Sequence, residues 1–126
     1  MSERLFSADP LLDADFLEAA YGDDVDTAVL MFQQYLDELP TNIKSLEDSY
    51  ATSDMARFRH LIHKQKPGYS YVGLTNITKM LQDLQIACEN CDDLTKHKPE
   101  IDEVLVSIKS SSEIISRTLD RLLQYQ

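Results

Sequence analysis

His60 and His63 lie where the charge of the chain reverses. The protein carries 22 Asp+Glu against 12 Lys+Arg, yet the stretch from Met55 to Gln82 contains neither Asp nor Glu. At the chain's mean density of acids that window would hold about five. It holds instead Arg57, Arg59, Lys64, Lys66 and Lys79. Mutual repulsion of carboxylates does not explain the gap, since acids are plentiful elsewhere. A site that takes up an anion beside an imidazole would exclude carboxylates in this way. The neutral imidazole, with an ordinary pKa of about 6.5, is a good nucleophile near neutrality. A phosphoryl group accepted there would bring roughly −1.5 to −2 charges. In mid-helix the backbone amides are already used, so side chains must supply the donors. Lys66, one turn after His63, and Arg59, one turn before it, are spaced to do so.

The elements that position these residues follow from the apolar spacing, which is helical along nearly the whole chain. A short first helix is predicted from about Asp13 to Tyr21, with Phe16, Leu17 and Ala20 inward, Asp13 as N-cap and Gly22 as stop. The second runs from about Asp24 to Tyr50 on a stripe of Val25, Ala28/Val29, Phe32, Leu36, Leu39, Ile43, Leu46 and Tyr50. Pro40 deletes a bond to the Leu36 carbonyl, which predicts a kink. Thr52 and Ser53 are the capping candidates for the third helix. Its buried face is Met55, Phe58, Leu61/Ile62, Gln65, Tyr69 and Val72, and Gly73 ends or bends it. Ala56, Arg59, His60, His63, Lys66, Pro67 and Ser70 then share the outer face. The fourth helix carries Leu74, Ile77, Leu81, Leu84, Cys88 and Cys91. Pro99 suits the first turn of a fifth, which buries Ile101, Val104/Leu105, Ile108, Ser112, Ile115, Leu119 and Leu122. The fold class is therefore all-α: an up-and-down antiparallel four-helix bundle, with the short extra N-terminal helix across one end. A solvated basic face bearing one exposed histidine would show the same charge and spacing.

Composition bounds the remaining classes. Residues 1–126 fit one domain with one core, and 43% hydrophobic residues is ordinary for a globular chain. Three Gly and four Pro are too few for an all-β fold. There is no apolar run long enough for a membrane span and no signal-peptide core in MSERLFSADP, so a cytoplasmic location is expected, as a free protein or as part of a larger one. A net charge of −10 argues against general nucleic-acid binding and points to a protein partner. Cys88 and Cys91 are expected to stay thiols on one helix face.

The segment HKQKPGYSYVGL, His63 to Leu74, resembles the motif of histidine-containing phosphotransfer (HPt) domains. In that family the phospho-accepting His is followed by Lys at the third position. A Gly-Leu or Gly-Ala pair closes the segment, and an apolar helix follows. Here those places are held by His63, Lys66 and Gly73-Leu74. LLDADFLEAAYGDD resembles the family's leading helix and turn, Phe32 to Pro40 its second helix, and SDMARFRHLIHK the approach to the histidine. The last helix matches only as amphipathic. Two residues depart from the pattern: Pro67 stands where Gly is usual, and Gln65 where an apolar residue is usual. Pro67 lacks the amide that would bond the His63 carbonyl, so the helix should kink or loosen there. A core Gln65 needs hydrogen-bond partners.

The resemblance implies a monomeric phosphorelay intermediate, not an enzyme. It would carry a phosphoryl group on His63 between the aspartates of receiver domains, in response regulators or a hybrid sensor histidine kinase. Lys66 would orient phosphoryl oxygens. Arg59, His60, Lys64, Pro67, Ser70 and Lys79 would contact the partner, with Thr75 and Thr78 beside them. No intrinsic cofactor or metal is implied; Mg²⁺ is expected only on the partner receiver. Consistently, the chain has no Gly-rich phosphate loop.

Three alternatives stand beside this. His60 is the rival acceptor. His60-x-x-His63 with Cys88-x-x-Cys91 could hold zinc, but the histidines point outward, the cysteines lie on the apolar stripe, and the cations would repel a dication. A non-phosphorylated adaptor, or an HPt bundle degenerate through Pro67, would only dock a partner. Asp23, Asp24 and Asp26 are read as helix-start charges, Ser110 to Ser112 as a polar helical turn, and His97 as an incidental loop residue. Tyr69 and Tyr71, on opposite sides of their helix, are not expected to line the site together.

Overall fold

The computed structural model describes residues 6–7, 9–90 and 92–125, which leaves Cys91 outside the described residues. Five α-helices are α1 Ala14–Tyr21, α2 Val25–Ala51, α3 Met55–Tyr71, α4 Thr75–Glu89 and α5 Lys98–Leu123, with a short 3-10 turn at Leu94–His97. Helices α2 to α5 pack in a ring of neighbours, α2 on α3, α3 on α4, α4 on α5 and α5 on α2, and α1 lies against α2. This is the four-helix bundle with a short leading helix that the spacing predicts. No helix among the described residues is long and apolar enough to cross a membrane.

Aspartates start the first three helices, each accepting a backbone N–H three residues on. Asp13 caps α1 through Phe16 N, Asp24 caps α2 through Thr27 N, and Asp54 caps α3 through Arg57 N, all at 3.1 Å. Bonds from the Thr27 hydroxyl and amide hold the Asp24 carboxyl below the usual carboxylate range. Thr52 and Ser53 are not the α3 caps. Thr52 closes α2, its amide and hydroxyl both donating to the Asp48 carbonyl, and Ser53 turns the chain at φ 53. Neither proline ends its helix. Pro40 and Pro67 are both exposed, and α2 and α3 run on to Ala51 and Tyr71.

The core follows the predicted stripes with local corrections. Leu17 is buried in α1, but Phe16 and Ala20 face outward. Tyr35 is buried next to the anticipated α2 stripe. In α5 Ser111, not Ser112, is inside, and Thr118 joins it. The α3–α4 turn is closed by Gly73 at φ 77, a conformation that favours glycine. A Cβ there would lie 2.6 Å from Leu17 Cδ1, so α1 sits directly on this turn. Asp13 reinforces the seat: its amide donates to the Gly73 carbonyl at 2.8 Å, and its Oδ2 accepts from Thr75 Oγ1 at 2.9 Å.

Candidate functional site

The outer face of α3 divides into two rows with His63 between them. One row meets α4. Arg59 Nη1 donates to the Cys88 carbonyl at 3.1 Å, so this guanidinium caps the C-terminal end of α4. Lys66 Nζ donates to Gln85 Oε1 at 3.2 Å and also to Gln82 Oε1. Ser70 Oγ shares a hydrogen bond with Thr78 Oγ1 at 3.0 Å. The other row borders α2. Lys64, Pro67 and Gly68 line a groove of about 370 Å³ whose far wall includes Gln34, Glu38 and Thr41.

His63 is exposed, and its side chain makes no hydrogen bond among the described residues. His60 is likewise exposed one turn before it. Lys79 is exposed on α4. Thr75, anticipated as a contact position, is tied to Asp13, and Thr78 to Ser70 and the Leu74 carbonyl. Of the residues expected here, Lys66 and Ser70 are held on the α4 side, Lys64 and Pro67 on the α2 side. Arg59 is engaged at the end of α4 instead of being free to reach an anion beside His63.

The electrostatics set this face apart. Lys44, Lys96, Lys98, Lys109 and Arg117 all form salt bridges with carboxylates. Arg57, Arg59, Lys64, Lys66 and Lys79 form none among the described residues. No carboxylate among the described residues lies in ion-pair contact with them, and Lys66, Lys64 and Lys79 keep ammonium protons for a ligand. An exposed imidazole flanked by such cations can attack an electrophilic phosphorus and stabilise the charge that arrives.

Other anticipated features resolve differently. Cys88 is fully buried while His60 and His63 face solvent, so these side chains do not converge, and no group of three metal-ligating residues occurs among the described residues. Tyr69 is buried and Tyr71 exposed, and both line the α2–α3 groove, which does not include His63. His97 lies in the 3-10 turn with Nδ1 3.9 Å from Glu100 Oε2. Gln82 and Gln85 were not anticipated. Their i, i+3 spacing beside the Leu81/Leu84 stripe was the available signal, since it sets both amides on the edge of α4.

No protein-family model matches the chain, and no curated protein matches it in sequence. In three dimensions it is similar to the crystal structure of the HPT domain from the Hpt sensor hybrid histidine kinase of Shewanella. The TM-score is 0.78 at 21% identity, and the match covers 88% of this chain and 95% of that one. The chain therefore has the fold of that HPt domain.

Proposed function

We propose that this chain acts as a phosphotransfer domain that carries a phosphoryl group on His63 between receiver-domain aspartates. The observation that carries this reading is the exposed, unengaged His63 among the cations Arg57, Arg59, Lys64 and Lys66 of α3 and Lys79 of α4, which pair with no carboxylate among the described residues. The likeness of fold to an HPt domain supports it. One ring nitrogen of neutral His63 attacks the phosphorus of a partner's aspartyl phosphate. The nitrogen–phosphorus bond forms, the bond to the carboxylate oxygen breaks, and the partner's aspartate leaves as a free carboxylate. The second ring nitrogen keeps its proton throughout. Transfer to the next receiver is the reverse step. Lys66 Nζ steadies the phosphoryl oxygens as charge builds on them. The partners are receiver domains of response regulators or of a hybrid sensor histidine kinase. The protein is a carrier with no cofactor of its own, and Mg²⁺ belongs to the receiver.

The test is transfer from a radiolabelled phosphorylated receiver to the protein and to its His63→Gln and His60→Gln variants. An acid-labile, base-stable label that is lost only in His63→Gln supports the carrier. Label lost only in His60→Gln moves the acceptor one turn back. Failure of several receivers to label the intact protein leaves the docking-only bundle as the better account.

A further inference from the structure

Pro67 lies inside α3 and has no amide hydrogen. The bond it cannot make is to the carbonyl of His63, so the helical ladder has a gap that starts at the nucleophile. On the inner face of α3, on either side of Pro67, two polar side chains sit in the core. Gln65 is 9% exposed and Tyr69 1%. The Tyr69 hydroxyl donates to Gln65 Oε1 at 3.2 Å, reaching from the turn after the proline to the turn before it. The Gln65 amide donates in turn to the Asn42 carbonyl of α2 at 3.3 Å. The Tyr69 ring stands edge-on to Tyr35 with centroids 5.7 Å apart. Ser111 Oγ donates to the Ile108 carbonyl at 2.6 Å, so the Tyr35 hydroxyl is the donor in its own 2.6 Å bond to Ser111.

The geometry points to a side-chain strap across the proline gap: the Tyr69–Gln65 bond crosses Pro67, overlapping the turn from residue 63 to 67 that has lost its main-chain bond, and it keeps Lys66 and Ser70 in register with His63. This inference rests on His63 being the phosphoryl acceptor. The physical reason is directionality. With a ladder bond missing, the part of α3 before Pro67 can hinge against the part after it. Apolar packing tolerates such a hinge because it has no preferred direction. A buried hydrogen bond does not, since stretching it strands a donor and an acceptor away from water. The Asn42 anchor fixes the rotation of α3 against α2. At that rotation Lys66 meets Gln82 and Gln85, and Ser70 meets Thr78. Gln65 and Tyr69 touch no phosphoryl group; they are positioning residues.

The experiment compares Gln65→Met and Tyr69→Phe, both of near-native volume, in the native protein and in Pro67→Ala, which restores the amide. Hydrogen exchange at residues 68–71 is measured on the protein alone. Transfer from a labelled receiver is measured at limiting and saturating donor. In the native background each variant should lower protection about tenfold, the scale of one buried hydrogen bond. Transfer at saturating donor should slow severalfold, with the half-saturating donor concentration unchanged. With Pro67→Ala both effects should shrink to about twofold or less. Equal losses in the two backgrounds would overturn the strap and make these ordinary core hydrogen bonds. If the unmodified protein takes no label, the carrier reading fails, and the exchange comparison alone decides whether the strap exists.

Discussion

At the scale of single residues, the proposed site depends on cations that form no salt bridge among the described residues. Lys66 is the most constrained of them, half-buried and held between the side-chain carbonyls of Gln82 and Gln85. Both partners are neutral, so the ammonium keeps its full charge while its direction is set. That is the useful state for a group meant to meet an arriving anion. Lys66→Ala should slow transfer to His63 by roughly tenfold, less than the loss of a fully pre-organised oxyanion donor. Its thermal unfolding should stay close to native, because no core side chain is removed. An unchanged transfer rate would remove Lys66 from the mechanism. Arg59 has a different task. Its bond to the Cys88 carbonyl makes it a brace between α3 and α4 near the end of the bundle farther from the Gly73 turn.

At the scale of elements, α1 and the α3–α4 turn act as one unit. Gly73 adopts φ 77 with Leu17 pressed against the place a side chain would occupy, and Asp13 bonds both Gly73 and Thr75. The turn sets how α4 departs from α3, and so where Gln82 and Gln85 meet Lys66. Gly73→Ala combines a strained backbone with overpacking against Leu17 and should cost about 3 kcal/mol. Urea unfolding measures this directly; a cost under about 1 kcal/mol would mean that Leu17 yields freely. The same variant should disturb transfer more than its stability loss explains, because the turn belongs to the site's frame.

At the scale of the whole molecule, the core carries polar groups that must remain uncharged. Burial pushes the Tyr35 hydroxyl from its ordinary value of 10.0 up to about 12, against a smaller opposing effect of its bond to Ser111. Burial, and then the neighbouring Tyr35, raise Tyr69 further. Both groups hold their protons more tightly folded than unfolded. The stability tied to this is complete below the unfolded value of about 10 and falls as the pH climbs toward the folded values. Helical circular dichroism should therefore collapse at or above pH 10 to 12, in the same step in which the buried tyrosinate absorbance appears. Tyrosinate from these two residues without loss of helix would contradict their burial. The body around them is acidic, with a net charge of −10 for the whole chain, and the basic face of α3 stands out against it.

What the sequence determined by itself is what depends on neighbours along the chain. The 3.6-residue period of apolar side chains is enough to place five helices, turn His63, Lys66 and Ser70 outward, and set Phe58, Ile62, Gln65 and Tyr69 inward. The absence of carboxylates from Met55 to Gln82 marks this segment as basic without reference to packing. Other features waited for the tertiary structure, because they join residues far apart in the chain. Arg59 meets Cys88 across 29 positions, Lys66 meets Gln82 and Gln85 across 16 and 19, and Gln65 meets Asn42 across 23. Burial at the edge of a stripe was decided there too. Ser111 and Ser112 are adjacent, and only the rotation that docks α5 on α2 brings Ser111 to Tyr35. A helical pattern gives each face its character but not its rotation against a neighbour, which only packing can settle.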